Sequence, residues 1–232
     1  MLIIILSFAG LSWNCSCQYL PLRIALHIWP VSMKLIFIFL FLLFCPYFAQ
    51  LQTLHYDLYT IHKHIGELTV TETSKDDKLI IDINCEVKIS MGLALHVKYL
   101  LHSVFKNKKL LKANVESFVN KKKHSDSQIE QKGSRYKVCI DDDNTFYPDP
   151  IEFSGSMLYF HEPLNVHYVF SEIDGIDKSI TKTGTNSYEL ENPENGQISR
   201  YIYKDGVLQK LSVQHALFTF DIILKSDSST AN

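Results

Sequence analysis

The first fifty residues contain no acidic side chain. All 25 Asp and Glu follow Gln50, and Arg23 and Lys34 are the only arginine and lysine ahead of it. The chain therefore divides into an apolar leader and a body of ordinary polarity. An excess of positive charge is also missing: 23 basic against 25 acidic residues give −2, and a pI near 6.5 leaves no electrostatic footprint for nucleic acid. Nine Gly and seven Pro in 232 residues exclude collagen-like and low-complexity architectures, and 46% hydrophobic residues exclude a disordered chain. There is no Gly-x-Ser-x-Gly elbow, no phosphate-binding glycine loop and no dinucleotide fingerprint. Helix signals are nearly absent after residue 50, which turns attention to strands.

The leader reads as an export signal. Lys34 follows Met33 and precedes an unbroken apolar run from Leu35 to Phe44, then Pro46 and an Ala49-Gln50 junction. The run is about half the length of a membrane-spanning helix, so cleavage is expected rather than a permanent span. Cutting after Ala49 leaves 183 residues with 21 basic and 25 acidic side chains, although Tyr47 is large for position −3 of such a site. Cys45 offers a lipoprotein alternative, but Phe44 stands where a small residue normally precedes the lipid-bearing cysteine. Residues 1–32 contain a second apolar stretch, Leu2 to Leu11, and the pair Cys15 and Cys17. They read as a non-native upstream extension ahead of a start at Met33, with a membrane hairpin as the rival. The expected product is periplasmic or extracellular, with no polybasic surface to hold it on anionic lipid.

Residues 50–224 read as a single all-β domain and residues 225–232 as a flexible tail. From Lys78 to Ser90, Leu79, Ile81, Ile83, Cys85, Val87 and Ile89 alternate with polar or outward residues, the period of a strand with one buried face. Leu93, Leu95, Val97, Tyr99, Leu101 and Phe105 form a second stripe. Leu111, Ala113, Val115 and Val119 form a third, and Tyr136, Val138 and Ile140 a fourth. Leu54–Ile61 and Ile65–Thr73 predict a hairpin turning near Lys63-His64. Asp205-Gly206 predicts a tight hairpin between 199–204 and 207–213, because both turn residues need positive φ. The last strand, 216–224, would bury Ala216, Phe218, Phe220, Ile222 and Leu224. Lys121–His124 and Asp141–Asn144 read as turns, and Ser154 as the cap of one short helix near 154–160 that Pro163 ends. About ten long antiparallel strands in a strongly curved sheet, a half-barrel or open barrel, are the expectation.

Tyr159-Phe160-His161-Glu162-Pro163, then Phe170-Ser171-Glu172 and Gly175, then Tyr201-Ile202-Tyr203-Lys204-Asp205-Gly206 occur in that order. This series, opened by Tyr56-Asp57 and Ile65-Gly66, resembles an exported Bacteroidota family catalogued as domain of unknown function 6134. The resemblance spans roughly residues 54–224. It implies a secreted β-protein behind an N-terminal signal, and it implies no activity and no catalytic residue.

Candidate chemistry is sparse. Cys85 and Cys139 remain after cleavage, but alternation puts Cys85 on an apolar face and Cys139 among Arg135, Lys137 and Asp141, so two free thiols are expected rather than a disulfide. His62 and His64 could share a strand face toward a metal, yet no third ligand is nominated, and a polar edge near a turn is the simpler reading. His161-Glu162 and His167 lack the i, i+4 spacing of a zinc-protease helix, which Pro163 would break. Asp141–Asn144 lacks the alternate spacing and glycine of a calcium loop. Lys121–Lys123 is balanced by nearby acids. No metal site, cofactor or catalytic residue is assigned.

The long apolar stripes, with too few helices to cover them, point to a concave apolar face that must be packed or occupied. The functional expectation is a non-enzymatic binding module for an apolar small molecule or an envelope protein, with Tyr201, Tyr203, Glu162, Glu172 and His167 as ligand-binding residues. Two rivals stand beside it. One is a structural or interaction module with a filled core, in which Tyr201 and Tyr203 are a core ladder and Glu172 holds nearby backbone. The other is a hydrolase in which Glu162, His167 and Glu172 converge.

Overall fold

The computed structural model describes residues 50–61, 63–91, 93–214 and 219–226. The expected leader, His62, Ala216 and Phe218 lie outside them. Fourteen strands run through the described residues: β1 (Gln50–Thr60), β2 (Lys63–Lys75), β3 (Lys78–Met91), β4 (Leu93–Lys106), β5 (Lys109–Val119), β6 (Lys122–Lys132), β7 (Arg135–Ile140), β8 (Asp143–Tyr147), β9 (Tyr168–Ser171), β10 (Ile176–Gly184), β11 (Ser187–Glu191), β12 (Ile198–Lys204), β13 (Val207–Gln214) and β14 (Thr219–Leu224). They form one antiparallel sheet in the order β8-β7-β6-β5-β4-β3-β2-β1-β14-β13-β12-β11-β10-β9. Two meanders, β1–β8 and β9–β14, are thus stitched where β14 lies beside β1, with Tyr56 opposite Leu224 and Tyr59 opposite Asp221. Between β8 and β9 runs a twenty-residue connector, residues 148–167, carrying a 3-10 helix at Gly155–Tyr159.

The hairpins are made by short polar turns in left-handed backbone: Asn107-Lys108, Asn120-Lys121, Asp141-Asp142 and Asp205-Gly206 all have positive φ. Such turns carry the right-handed twist of the flanking strands without splaying them. Asp141-Asp142 therefore form the turn, with Asp141 Oδ1 accepting the Asp126 N–H at 2.9 Å, whereas Asp143 and Asn144 already belong to β8. Lys121 is the second turn residue, but Lys122–His124 belong to β6. That strand carries few apolar residues and was not expected, nor were β8 to β11, so fourteen strands replace about ten. The first hairpin turns at Ile61, just before the expected position.

Burial alternates along β3, where Ile81, Ile83 and Cys85 point inward between exposed Asp82, Asn84 and Glu86. The third stripe needs correction. Phe105 pairs with Leu110 and Val104 with Lys112, so Leu111 is the extra residue of a β-bulge. The bulge shifts parity by one, and Leu110, rather than Leu111, is fully buried.

The sheet curls until its ends meet without closing by backbone pairing. Gly175, in the β9–β10 turn, sits so close to Val138 and Ile140 of β7 that an added Cβ would lie 2.7 Å from Val138 Cγ1. Ser127 of β6 donates its hydroxyl to the Glu172 carbonyl, and Ser103 of β4 donates to Glu172 Oε1 at 3.4 Å. These partners stand many strands apart in the sheet order. The connector lies along the gap: Leu110 N–H donates to Ile151 O at 2.8 Å, and Phe170 N–H to Phe153 O at 3.1 Å. Tyr147 of β8 packs edge-on against Phe170 of β9 at 5.0 Å between ring centroids. The expected open barrel is what the chain forms.

Candidate functional site

Inside the curl, between the connector and the concave face, lies a cavity of about 370 Å³. Its walls are mostly aliphatic, from Leu58 and Leu68 through Ile83, Val97 and Leu101 to Leu190, Leu211 and Ile222. Polar and aromatic groups interrupt them, among them Tyr99 on β4, Tyr159 on the 3-10 helix, Tyr201 on β12, Lys178 on β10 and Glu172 just past β9. A wider depression of about 540 Å³ beside Asp82 and His102 is lined by polar groups such as Asn84, Asn114 and Glu116. There His102 and Asp82 satisfy each other at 2.7 Å.

Glu172 is only 2% exposed. A buried carboxylate is tolerated only when donors replace its water. Here Oε1 accepts from Ser154 Oγ at 2.5 Å, from the Ser156 N–H at 3.2 Å and from Ser103 Oγ. Ser154 therefore occupies the N-cap position but does not use its side chain as a cap; the hydroxyl turns to Glu172 instead. Gly155 makes room for the other oxygen, since a Cβ there would stand 3.1 Å from Oε2. Oε2 takes no hydrogen bond among the described residues. Glu172 and Gly155 both line the cavity, which places this unbonded oxygen at its wall.

The phenols of Tyr99, Tyr159 and Tyr201 likewise donate to no described residue. Burial pushes all three above the ordinary tyrosine range, and the Glu172 charge adds to the push on Tyr99 and Tyr201. They are neutral hydroxyls, and those of Tyr99 and Tyr201 feel the Glu172 charge. Burial also pushes the Cys85 thiol in the same wall up to about 12. Lys178 borders the cavity too, with its ammonium 2.5 Å from Asp174.

Of the five expected binding residues, Glu172 and Tyr201 line the cavity. Tyr203 shares the face of Tyr201 but is a core residue, its hydroxyl donating to Leu158 O at 2.8 Å and its ring edge-on to Tyr188. Glu162 accepts from Tyr188 Oη at 2.7 Å and does not border the cavity; burial and this bond push the Tyr188 phenol up to about 12. His167 is exposed and contributes a backbone carbonyl to Ile180. Neither Glu162 nor His167 bonds to Glu172, so the hydrolase constellation is not assembled. Cys85 and Cys139 are free thiols on β3 and β7, with β4, β5 and β6 between them. His64 joins Asp57 and Glu67 in a cluster that Lys225 fills, its Nζ 3.0 Å from Asp57 Oδ1 and 2.8 Å from Glu67 Oε1. Sequence reasoning missed the serines that hold Glu172. Ser103 carried a signal: it is a polar residue on the inward parity between Leu101 and Phe105.

A curled, open antiparallel sheet around an internal cavity is a β-barrel-like architecture. The chain belongs to the family described as domain of unknown function DUF6134, whose pattern matches residues 56–225. Its fold is similar to the crystal structure of a β-barrel-like protein of domain of unknown function DUF1849 from Brucella abortus, with a TM-score of 0.53 and 8% identity over 76% of this chain and 96% of that one. At that identity the likeness concerns the fold alone. No curated protein matches the chain. Among the described residues no helix is long and apolar enough to cross a membrane.

Proposed function

We propose that this DUF6134 protein is an exported binding module that holds a predominantly apolar molecule inside its curled sheet. The observation that carries the reading is the 370 Å³ cavity, whose size falls in the range of small-molecule sites and whose walls are aliphatic with a few convergent polar groups. An apolar hollow of that size leaves its lining side chains short of dispersion contacts, and an occupant restores them. The polar groups at Glu172, Tyr99, Tyr159 and Tyr201 would orient the occupant, while aliphatic burial supplies most of the affinity. Export rests on the Lys34–Gln50 leader, and N-terminal sequencing of protein recovered outside the cytoplasm should begin at Gln50.

The test of binding is direct. Purified protein should brighten an apolar fluorescent dye with saturable, single-site behaviour, and organic extraction should release a co-purified small molecule. A protein that yields no extract and leaves the dye dark would remove the reading.

A further inference from the structure

We propose that the molecule held in the cavity carries a protonated amine at one end, which pairs with Glu172 Oε2. This deepens the binding reading above and rests on it. Three observations carry it. First, Glu172 is a carboxylate buried to 2% exposure that forms no ion pair among the described residues, although buried charges are ordinarily paired. Second, its donors are gathered on one oxygen. Ser103, Ser154 and the Ser156 amide all serve Oε1, and the Ser127 hydroxyl serves the main-chain carbonyl, while Oε2 takes no hydrogen bond from a described residue and lies beside Gly155, another residue of the cavity wall. Donor hydrogens converging on Oε1 hold the side chain in place whether or not the cavity is filled. Third, the cation that borders the cavity, Lys178, is engaged by Asp174, which is held in turn by the Ser171 hydroxyl at 2.6 Å. The protein thus presents a buried carboxyl group to which no cationic side chain among the described residues is paired.

The surrounding rings fit the same occupant. Tyr99, Tyr159 and Tyr201 border the space next to Glu172, and their faces attract a cation more than an anion. An alcohol could donate one hydrogen to Oε2, but it would leave the carboxylate uncompensated. A fatty acid would set two carboxylates together in an apolar site. The ordering expected from the geometry is amine over alcohol over acid.

The experiment uses octylamine, octanol and octanoate, equal in chain length, displacing a bound apolar dye from the purified protein at neutral pH. Octylamine should compete at a concentration about ten-fold or more below octanol, the factor expected when a hydrogen bond gains a full charge on both partners, with octanoate weakest. Glu172→Gln should keep octanol binding and lose most of the amine preference. Equal potency of amine and alcohol on the native protein overturns the amine assignment while leaving the apolar cavity intact. Retention of the full preference in folded Glu172→Gln also overturns it. Failure of the dye and of every octyl compound to bind removes the cavity reading itself. Should Glu172→Gln not fold, the native series decides alone.

Discussion

Single residues show how the interior separates packing from chemistry. Cys85 and Cys139 are both free, but only Cys85 is buried, with its thiol pushed up to about 12 by burial. The thiolate is the reactive form. In protein lacking residues 1–49, a thiol reagent at pH 8 should label Cys139 quickly and Cys85 only as fast as the protein opens, with two equivalents after denaturation; two fast thiols would contradict the burial. The core tyrosines divide similarly. Tyr56 and Tyr203 donate to the carbonyls of Leu208 and Leu158, whereas the Tyr136 hydroxyl is enclosed without a well-formed partner. Burial pushes the Tyr136 phenol up, and the nearby Ile151 backbone offsets it only in part. Tyr203→Phe should cost about 1 kcal/mol in urea unfolding, and Tyr136→Phe should fall within about 0.5 kcal/mol of wild type or above it.

At the scale of strands, the sheet depends on close approach and on one seam. Gly66 in β2 faces Glu86 and Val87 of β3 so closely that a Cβ would lie 2.1 Å from the Glu86 carbonyl oxygen. Gly66→Ala must push the paired backbones of β2 and β3 apart and should cost about 1–3 kcal/mol, while Gly133→Ala, a positive-φ turn with open space, should cost nearer 1 kcal/mol. Comparison of their denaturation midpoints separates the two effects. The seam between β1 and β14 ends in the Lys225–Asp57–Glu67–His64 cluster. Partial burial alone would raise the Asp57 carboxyl, but hydrogen bonds from Lys225 and His64 outweigh it and hold it below the ordinary range. Bonds to Glu67 and Asp57 hold the Lys225 ammonium above its own. A depressed carboxylate contributes stability above its unfolded pKa and loses it as pH falls through the folded one; a raised lysine loses its share only as pH rises through its folded value. The stability gap between wild type and Lys225→Met should therefore be greatest near neutral pH, shrink in acid below the carboxylate range and shrink again in strong base. A gap independent of pH would contradict this origin.

For the molecule as a whole, the curl is what turns an apolar face into a hollow. Its ends are tied by side chains rather than by a ladder: Ser103 and Ser127 reach Glu172, and Gly175 packs on Val138. Filling the hollow should therefore separate binding from folding. Leu190→Trp, on the cavity wall, should retain a β-type circular dichroism spectrum and lose dye binding, at a stability change within about 3 kcal/mol. Dye binding that survives the substitution would place the dye elsewhere.

Much of this architecture was legible in the residues because strand geometry is local. Alternation from Leu79 to Ile89 assigns a face to each side chain, and Asp205-Gly206 assigns a turn, without knowledge of any distant partner. The all-β class, the scarcity of helix and the curvature follow from such short-range facts. What escaped was whatever depends on a partner far along the chain. The polar β6 is a strand only because β5 and β7 flank it, and Leu110 replaces Leu111 inside only because a bulge against β4 shifts the parity. The site is the extreme case. Glu172 and Tyr201 were nominated alongside Tyr203, Glu162 and His167, and nothing local distinguishes them. Glu172 is separated from Ser103 by 69 positions in the chain, and only the closing of the curl gives it three donors on one oxygen, none on the other, and an apolar space to border.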